Sequence, residues 1–194
     1  MTGTDSTPAT SDPNLGSGPR VLIVVGIALL AGIAVWFLTG CIRDDIDGPL
    51  GDSAEGAHIV PVAQMDAVPG EVGHTVFWAG EQPDTDIELS DDPSGNVHVR
   101  YLTGGAEAGT AEQTFLDVGT YPFKGAYETT RNLAAQAKLT PVDVGDGIGF
   151  YDEKRPYSVI LAFPEELNLQ IEVYHPEKNA ALDTVRSGDI VPLP

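Results

Sequence analysis

The stretch Leu167-Asn168-Leu169-Gln170-Ile171-Glu172-Val173 alternates apolar and polar side chains without a break. Successive side chains of a β-strand point to opposite faces, so a period of two is typical of a strand with one face in the core. This is the clearest strand signal in the chain. It predicts that the core is built against one face of a sheet.

Other runs with strand character lie closely spaced before this stretch. They are Val72–Trp78, Asp86–Ser90, Val97–Leu102, Phe115–Tyr121, Ile148–Tyr151 and Tyr157–Phe163. The last run is apolar on both faces, which predicts a central strand. The polar residues 91–96 favour a turn, so the runs on either side of them predict a hairpin. Its outer face is expected to set acidic side chains across from His98 and Arg100.

Two segments carry helical signals. One runs from Ala126 to Lys138, and a closing helix begins near Pro176 and ends at Gly188. Because helices and strands do not alternate regularly, the sequence predicts an α+β fold over residues 71–194. We expect a largely antiparallel sheet of about six or seven strands with two helices on one face.

The segment from Val21 to Leu38 is apolar, and no residue is charged between Val21 and Ile42. About 20 helical residues cross a hydrocarbon core of about 30 Å, so residues 21–42 are predicted to form a single transmembrane helix. Residues 1–20 are expected to be a disordered tail and 43–70 a flexible linker. We expect the N-terminus in the cytoplasm and the acidic domain outside the cell membrane.

A second interpretation of this segment starts from Leu38-Thr39-Gly40-Cys41, which resembles a bacterial lipobox. Cys41 would then carry a lipid, and it is the only cysteine in the chain. The leader would be unusually long, and Arg20 is the only cation of its n-region, whereas signal peptides usually begin clearly positive. The sequence leaves a retained helix and a lipid anchor both open. Either one tethers the domain to the membrane.

The charge of the chain limits its partners. It has 194 residues, with 29 Asp and Glu against 10 Lys and Arg and a formal charge of −19. A surface this negative repels phosphate backbones, which argues against nucleic acid as a partner. A divalent cation or an envelope protein with a basic surface is compatible with the charge. The acidity also suits a salty habitat.

The sequence contains no nucleophile motif, phosphate-binding loop or dinucleotide fingerprint. It therefore predicts no cofactor and favours a non-enzymatic module that binds a partner or ligand. The alternative is an envelope enzyme of the metal-dependent hydrolase type, with a site of scattered carboxylates and His98. The candidate ligand-binding residues are Trp78, Tyr101 and His98, and the candidate metal ligands are Asp84, Asp86 and Glu88.

A resemblance is carried by four short runs in the C-terminal part of the chain. They are Val76–Gly80, Val97–Leu102, Thr120–Pro122 and Ile171–Tyr174. Together they resemble a group of uncharacterised, membrane-tethered extracytoplasmic proteins of actinobacteria. The resemblance covers about Val72 to the C-terminus and implies an envelope location. It assigns no activity to any residue.

Overall fold

The computed structural model describes residues 56–136 and 138–194. The predicted tail, the membrane segment, Cys41 and the first part of the linker lie outside these residues. In the described part of the chain, no helix is long and apolar enough to cross a membrane.

An antiparallel sheet of eight strands forms the centre of the domain, and two further strands pair separately. The strands are β1 (Ala57–Ile59), β2 (Phe77–Trp78), β3 (Asp86–Asp91), β4 (Val97–Leu102), β5 (Leu116–Pro122), β6 (Thr140–Val142), β7 (Ile148–Tyr151), β8 (Ser158–Ala162), β9 (Leu169–Tyr174) and β10 (Val191–Pro192). The order across the large sheet is β1-β3-β4-β5-β9-β8-β7-β6, and β2 pairs with β10. The predicted α+β class and largely antiparallel sheet are confirmed. The large sheet has more strands than predicted because it includes β1 and β6. These two edge strands have only three residues each, and the sequence did not predict them.

Strand β9 lies near the middle of the sheet, between β5 and β8. Its residues Ile171 and Val173 are fully buried and belong to the hydrophobic core. The predicted alternation therefore marks a core strand. Leu167 is the exception, because it is exposed and lies before the strand, where its carbonyl accepts a hydrogen bond from the Tyr127 amide.

Three α-helices accompany the sheet in the described residues. They are α1 (Val68–Val72), α2 (Ala126–Ala134) and α3 (Ala180–Ser187), and a 3-10 helix (Val62–Ala67) precedes α1. Helix α3 ends at Gly188, as predicted, in the left-handed conformation with φ 80° that glycine adopts readily. It starts later than predicted, at Ala180, and α2 stops before Lys138.

The two predicted helices lie on opposite faces of the sheet, so their predicted placement on one face is wrong. The buried side chains of α3 pack in the core cluster with Ile171 and the other apolar residues of β9. Helix α2 instead receives a hydrogen bond of 2.8 Å from Gln170 Nε2 to Thr130 Oγ1. Gln170 neighbours Ile171 in β9, and the two side chains therefore point to opposite faces. Each face of β9 is covered by its own helix.

The segment from Ala57 to Gly70, predicted as linker, belongs to the folded domain. Val60, Met65 and Val68 are buried and join the hydrophobic core. Strand β1 also pairs with β3. Three core side chains dispersed among Pro, Gly, Asp and Ala give no periodic pattern, and the sequence therefore did not reveal this part of the domain.

Candidate functional site

The candidate site lies on the polar face of the sheet, which is the face opposite the main hydrophobic core. Strand pairing arranges this face in rows across β3, β4, β5 and β9. One row holds Ser90, His98, Gly119 and Glu172, and the next holds Glu88, Arg100, Asp117 and Tyr174. Tyr121 follows Gly119 by two residues and shares its face. We call His98, Asp117, Tyr121 and Glu172 the His98 cluster.

His98 joins β4 to β5 at the centre of this cluster. Its Nδ1 lies 3.0 and 3.1 Å from the two carboxylate oxygens of Asp117. Its Nε2 lies 3.4 Å from the hydroxyl oxygen of Tyr121, and the two rings meet edge to face. The imidazole is buried, at 11% exposure, while the Asp117 side chain is 25% exposed. Asp117 thus connects the buried histidine with the surface.

Glu172 extends the cluster to β9. Its carboxylate accepts hydrogen bonds from the hydroxyl groups of Tyr121 and Ser158. A continuous chain of polar contacts therefore runs from Asp117 through His98, Tyr121 and Glu172 to Ser158. It crosses four strands that the sheet topology places side by side.

The protonation of the cluster is set by burial and by its carboxylates. Burial lowers the pKa of His98, but the charges of Asp117, Glu172 and Asp92 together raise it above its usual value. Burial also raises the pKa of Glu172, opposed by its hydrogen bond from Ser158. Burial raises the pKa of Tyr121 well above its usual value, so the phenol stays neutral. The cluster thus favours a charged imidazole and a neutral phenol.

Gly119 leaves the space that the Tyr121 ring occupies. A Cβ atom at this position would lie 2.5 Å from the hydroxyl oxygen of Tyr121. Glycine weakens the interior of a strand and often marks a close approach of another group. Here the approaching group is the tyrosine ring, which lies over Gly119 and so reaches both His98 and Glu172.

We expect Gly119→Ala to displace the Tyr121 ring and to lower the free energy of unfolding by about 1–3 kcal/mol, as overpacking of well-packed sites does. Urea denaturation measures the stability, and nuclear Overhauser effects between the His98 and Tyr121 rings report the contact. Gly70 is the control, because a Cβ there would meet nothing within 4 Å. If the His98 and Tyr121 rings remain in contact in Gly119→Ala, then Gly119 is not what allows the Tyr121 ring to reach His98.

The loop between β4 and β5, residues 103–115, covers the polar face beside the His98 cluster. Arg100 donates hydrogen bonds of 3.1 Å to the carbonyls of Thr110 and Glu112. Arg100 also pairs with Glu88 at 2.8 Å, and the second oxygen of Glu88 accepts the Gly109 amide at 2.7 Å. Burial raises the pKa of Glu88, although these two partners oppose the shift. Arg100 and Glu88 thus hold the loop against the sheet through their hydrogen bonds to its backbone.

The β3–β4 hairpin was predicted to set acids across from Arg100 and His98. The register confirms this for Arg100, which lies opposite Glu88, but it sets the neutral Ser90 opposite His98. The prediction that this face is an outer face is wrong, because the loop buries both side chains. An open groove of about 710 Å³ is lined by the loop itself, from Thr103 to Phe115. The Phe115 ring lies 5.5 Å from the Arg100 guanidinium.

The two aromatic candidates lie apart from His98. Trp78 is half-buried in β2 and packs against the hydrophobic core. Tyr101 is buried on the core face of β4, and its hydroxyl accepts the Ala79 amide at 2.7 Å. Tyr101 and His98 are three residues apart in one strand and therefore face opposite sides. The structure does not bring the three candidates into one site.

The three candidate metal ligands have different surroundings. Glu88 is buried and paired with Arg100, whereas Asp86 is exposed at the start of β3. Asp84 is exposed in the preceding turn, with φ 57°. Among residues 56–136 and 138–194, no group of three or more His, Cys, Asp or Glu is placed to hold a metal ion.

Three members of the cluster were not among the candidate site residues chosen from the sequence. Asp117 and Tyr121 lie two residues before and after Gly119, and this spacing puts all three on one face of β5. A glycine between polar residues in a predicted strand is the signal that could have identified them. Glu172 was visible only as a polar position in the alternating stretch.

Comparisons with family models, curated proteins and solved structures found no match. The resemblance to actinobacterial envelope proteins therefore stays a prediction.

Proposed function

We propose that this chain is a membrane-tethered extracytoplasmic module that binds a protein partner without catalysis. The observation that carries the proposal is a group of tyrosines around Asp117. Tyr174 pairs with Asp117 across the strands, Tyr157 directly precedes Ser158, which pairs with Tyr174, and Tyr121 belongs to the His98 cluster. We call Asp117, Tyr121, Tyr157 and Tyr174 the tyrosine surface.

The exposure and chemistry of the tyrosine surface suit a binding role. Tyr157 is 42% exposed, and the other three residues are partly exposed. Tyrosine is enriched at protein interfaces because it offers a large apolar ring together with a hydroxyl group. The chain carries a formal charge of −19, which favours a partner with a basic surface.

The arrangement of His98 favours binding over catalysis. Both ring nitrogens face groups of the protein, Asp117 on one side and Tyr121 on the other. A general acid or base must reach the proton of a substrate at hydrogen-bond distance. His98 would have to give up one of these contacts to do so.

The tether is supported by the sequence. The uncharged segment from Val21 to Leu38 is long enough to span a bilayer, and Cys41 offers lipidation as the second means of attachment. In both cases the proposal places the acidic domain outside the cell membrane.

The alternative function is an envelope hydrolase, and the short contact between His98 and Asp117 favours it. A carboxylate at 3.0 Å from Nδ1 can orient an imidazole for proton transfer. Hydrolysis of an ester or phosphoester by the purified chain, abolished in His98→Gln, would favour this alternative.

Site-specific photo-crosslinking tests the binding role. We expect a photo-reactive phenylalanine at position 157 of the full chain, in cells, to capture one discrete partner. The same probe at Val191 is the control, because this residue is exposed to the same degree, 41% against 42%, but lies in β10. Asp117→Lys should abolish the product at position 157, because it reverses the charge at the centre of the tyrosine surface. Equal products at both positions would contradict the proposal.

A further inference from the structure

We propose that His98 and Glu172 share one proton through the hydroxyl group of Tyr121, so that release of this proton changes the charge next to the tyrosine surface. The sharing rests on the geometry of the His98 cluster. Its consequence for partner binding rests on the proposed function.

The argument starts from the single hydrogen of the Tyr121 hydroxyl group, which can be donated to one acceptor at a time. With a charged imidazole, Nδ1–H donates to Asp117, Nε2–H donates to the Tyr121 oxygen, and the hydroxyl donates to Glu172. With a neutral imidazole that keeps its proton on Nδ1, Nε2 becomes an acceptor. The tyrosine hydrogen can then turn to His98, and Glu172 loses one donor.

The loss of this donor matters because Glu172 is buried. Its carboxylate would keep the hydrogen bond from Ser158, and a buried charge with fewer donors binds a proton more readily. A proton can pass from Nε2 of His98 to the Tyr121 oxygen while the tyrosine proton passes to Glu172. This exchange converts a charged pair into a neutral pair without gain or loss of a proton.

Other charged groups around His98 come from neighbouring elements. Asp117 faces it from β5, Glu172 from β9, and Asp92 from the turn between β3 and β4. On β3, the directly opposite residue is Ser90, which is neutral. Arg100, which shares this face of β4, is paired with Glu88, so the charged groups that act most strongly on His98 are the three carboxylates.

The stability that His98 and Glu172 contribute to the fold should fall as the pH rises. The pKa of His98 is raised in the fold, so its stabilising contribution is complete below about pH 6.5 and is lost as the pH rises through the raised value. The pKa of Glu172 is also raised, so the cost of charging it develops above about pH 4.5. Titration of either group therefore lowers the free energy of unfolding as the pH rises.

The affinity for a basic partner should rise as the pH rises, whereas the stability contributed by the two groups falls. Release of the shared proton gives the cluster one additional negative charge next to the partly exposed Asp117. A partner with a basic surface should therefore bind more tightly above the transition than below it.

Nuclear magnetic resonance of the full chain in lipid nanodiscs tests the shared proton without any partner. The chain has four histidines, so His98→Gln assigns the His98 signals. We expect the imidazole ¹⁵N shifts of His98 and the carboxyl ¹³C shift of Glu172 to change at the same pH in the wild type. In Tyr121→Phe the two midpoints should separate by about one pH unit, because the connecting hydroxyl is gone.

Two further variants make the result decisive. Tyr157→Phe should leave both midpoints in place, because this hydroxyl lies outside the cluster. Asp117→Asn should lower the midpoint of His98 while the two signals still change together. Separate midpoints in the wild type, or a common midpoint in Tyr121→Phe, would overturn the proposal. The crosslinking experiment can fail without affecting this result, and the reverse also holds.

Discussion

Replacement of Arg100 by methionine is expected to lower the free energy of unfolding by about 3–5 kcal/mol, the range for breaking a buried ion pair. Arg100 and Glu88 are 5% and 1% exposed, and their charged groups lie 2.8 Å apart. Methionine fills much of the volume of arginine but leaves the Glu88 carboxylate buried without its cation. The variant also removes the donors that hold the loop between β4 and β5.

A double-mutant cycle with Glu88→Gln separates the charge from the packing. The double variant Arg100→Met/Glu88→Gln should be more stable than the sum of the single losses, because it contains no unpaired buried charge. Urea denaturation of each variant gives the four free energies. Arg131 is the control, because it pairs with Glu128 at the surface, and its replacement by methionine should cost less than about 1 kcal/mol. Additive losses would show that the two charges are not coupled.

Replacement of Ile171 by alanine is expected to cost about 2–5 kcal/mol, as for other large apolar side chains deleted from cores. Ile171 is fully buried in β9, where it contacts the hydrophobic core between β5 and β8. Leu167→Ala should change the free energy of unfolding by less than about 0.5 kcal/mol, because Leu167 is 56% exposed.

The comparison of these two variants is informative because both residues belong to one alternating stretch of sequence. Thermal or urea unfolding measures both on the same chain. Similar losses at the two positions would mean that β9 extends back to Leu167 and buries its side chain.

The sequence predicted the elements whose signal is local. The β3–β4 hairpin follows from two apolar runs around a polar turn, and its register pairs Glu88 with Arg100. The alternation in β9 marked Ile171 and Val173 as core residues, and the structure confirms it. These features depend on the period of the side chains, which is visible within a few residues.

Features that depend on distant pairing could not be predicted in the same way. The placement of α2 and α3 on opposite faces follows from which side of β9 each helix covers, and the sequence of a helix does not specify this. Met65 and Val68 enter the core from a segment with too few apolar residues to show a period. Their burial depends on the surface that the rest of the domain provides.

The candidate site also combines a residue with a local signal and partners that depend on distant strand pairing. His98 was selected because it is a histidine on a predicted strand. Its partner Asp117 lies on the next strand of the sheet, and Glu172 lies one strand further on, much later in the chain. Only the strand order brings these three residues together. A residue type can suggest chemistry, but the register of three strands decides which groups can exchange a proton.

The open sheet has a consequence for crowding on a membrane. Its outer strands, β1 and β6, contain three residues each, and Pro141 in β6 has no amide hydrogen to donate. Longer edges with free amides and carbonyls would invite sheets of neighbouring chains to join into larger assemblies. Chains tethered as proposed diffuse in two dimensions and collide often. Such short, interrupted edges would help them to remain separate at high surface density.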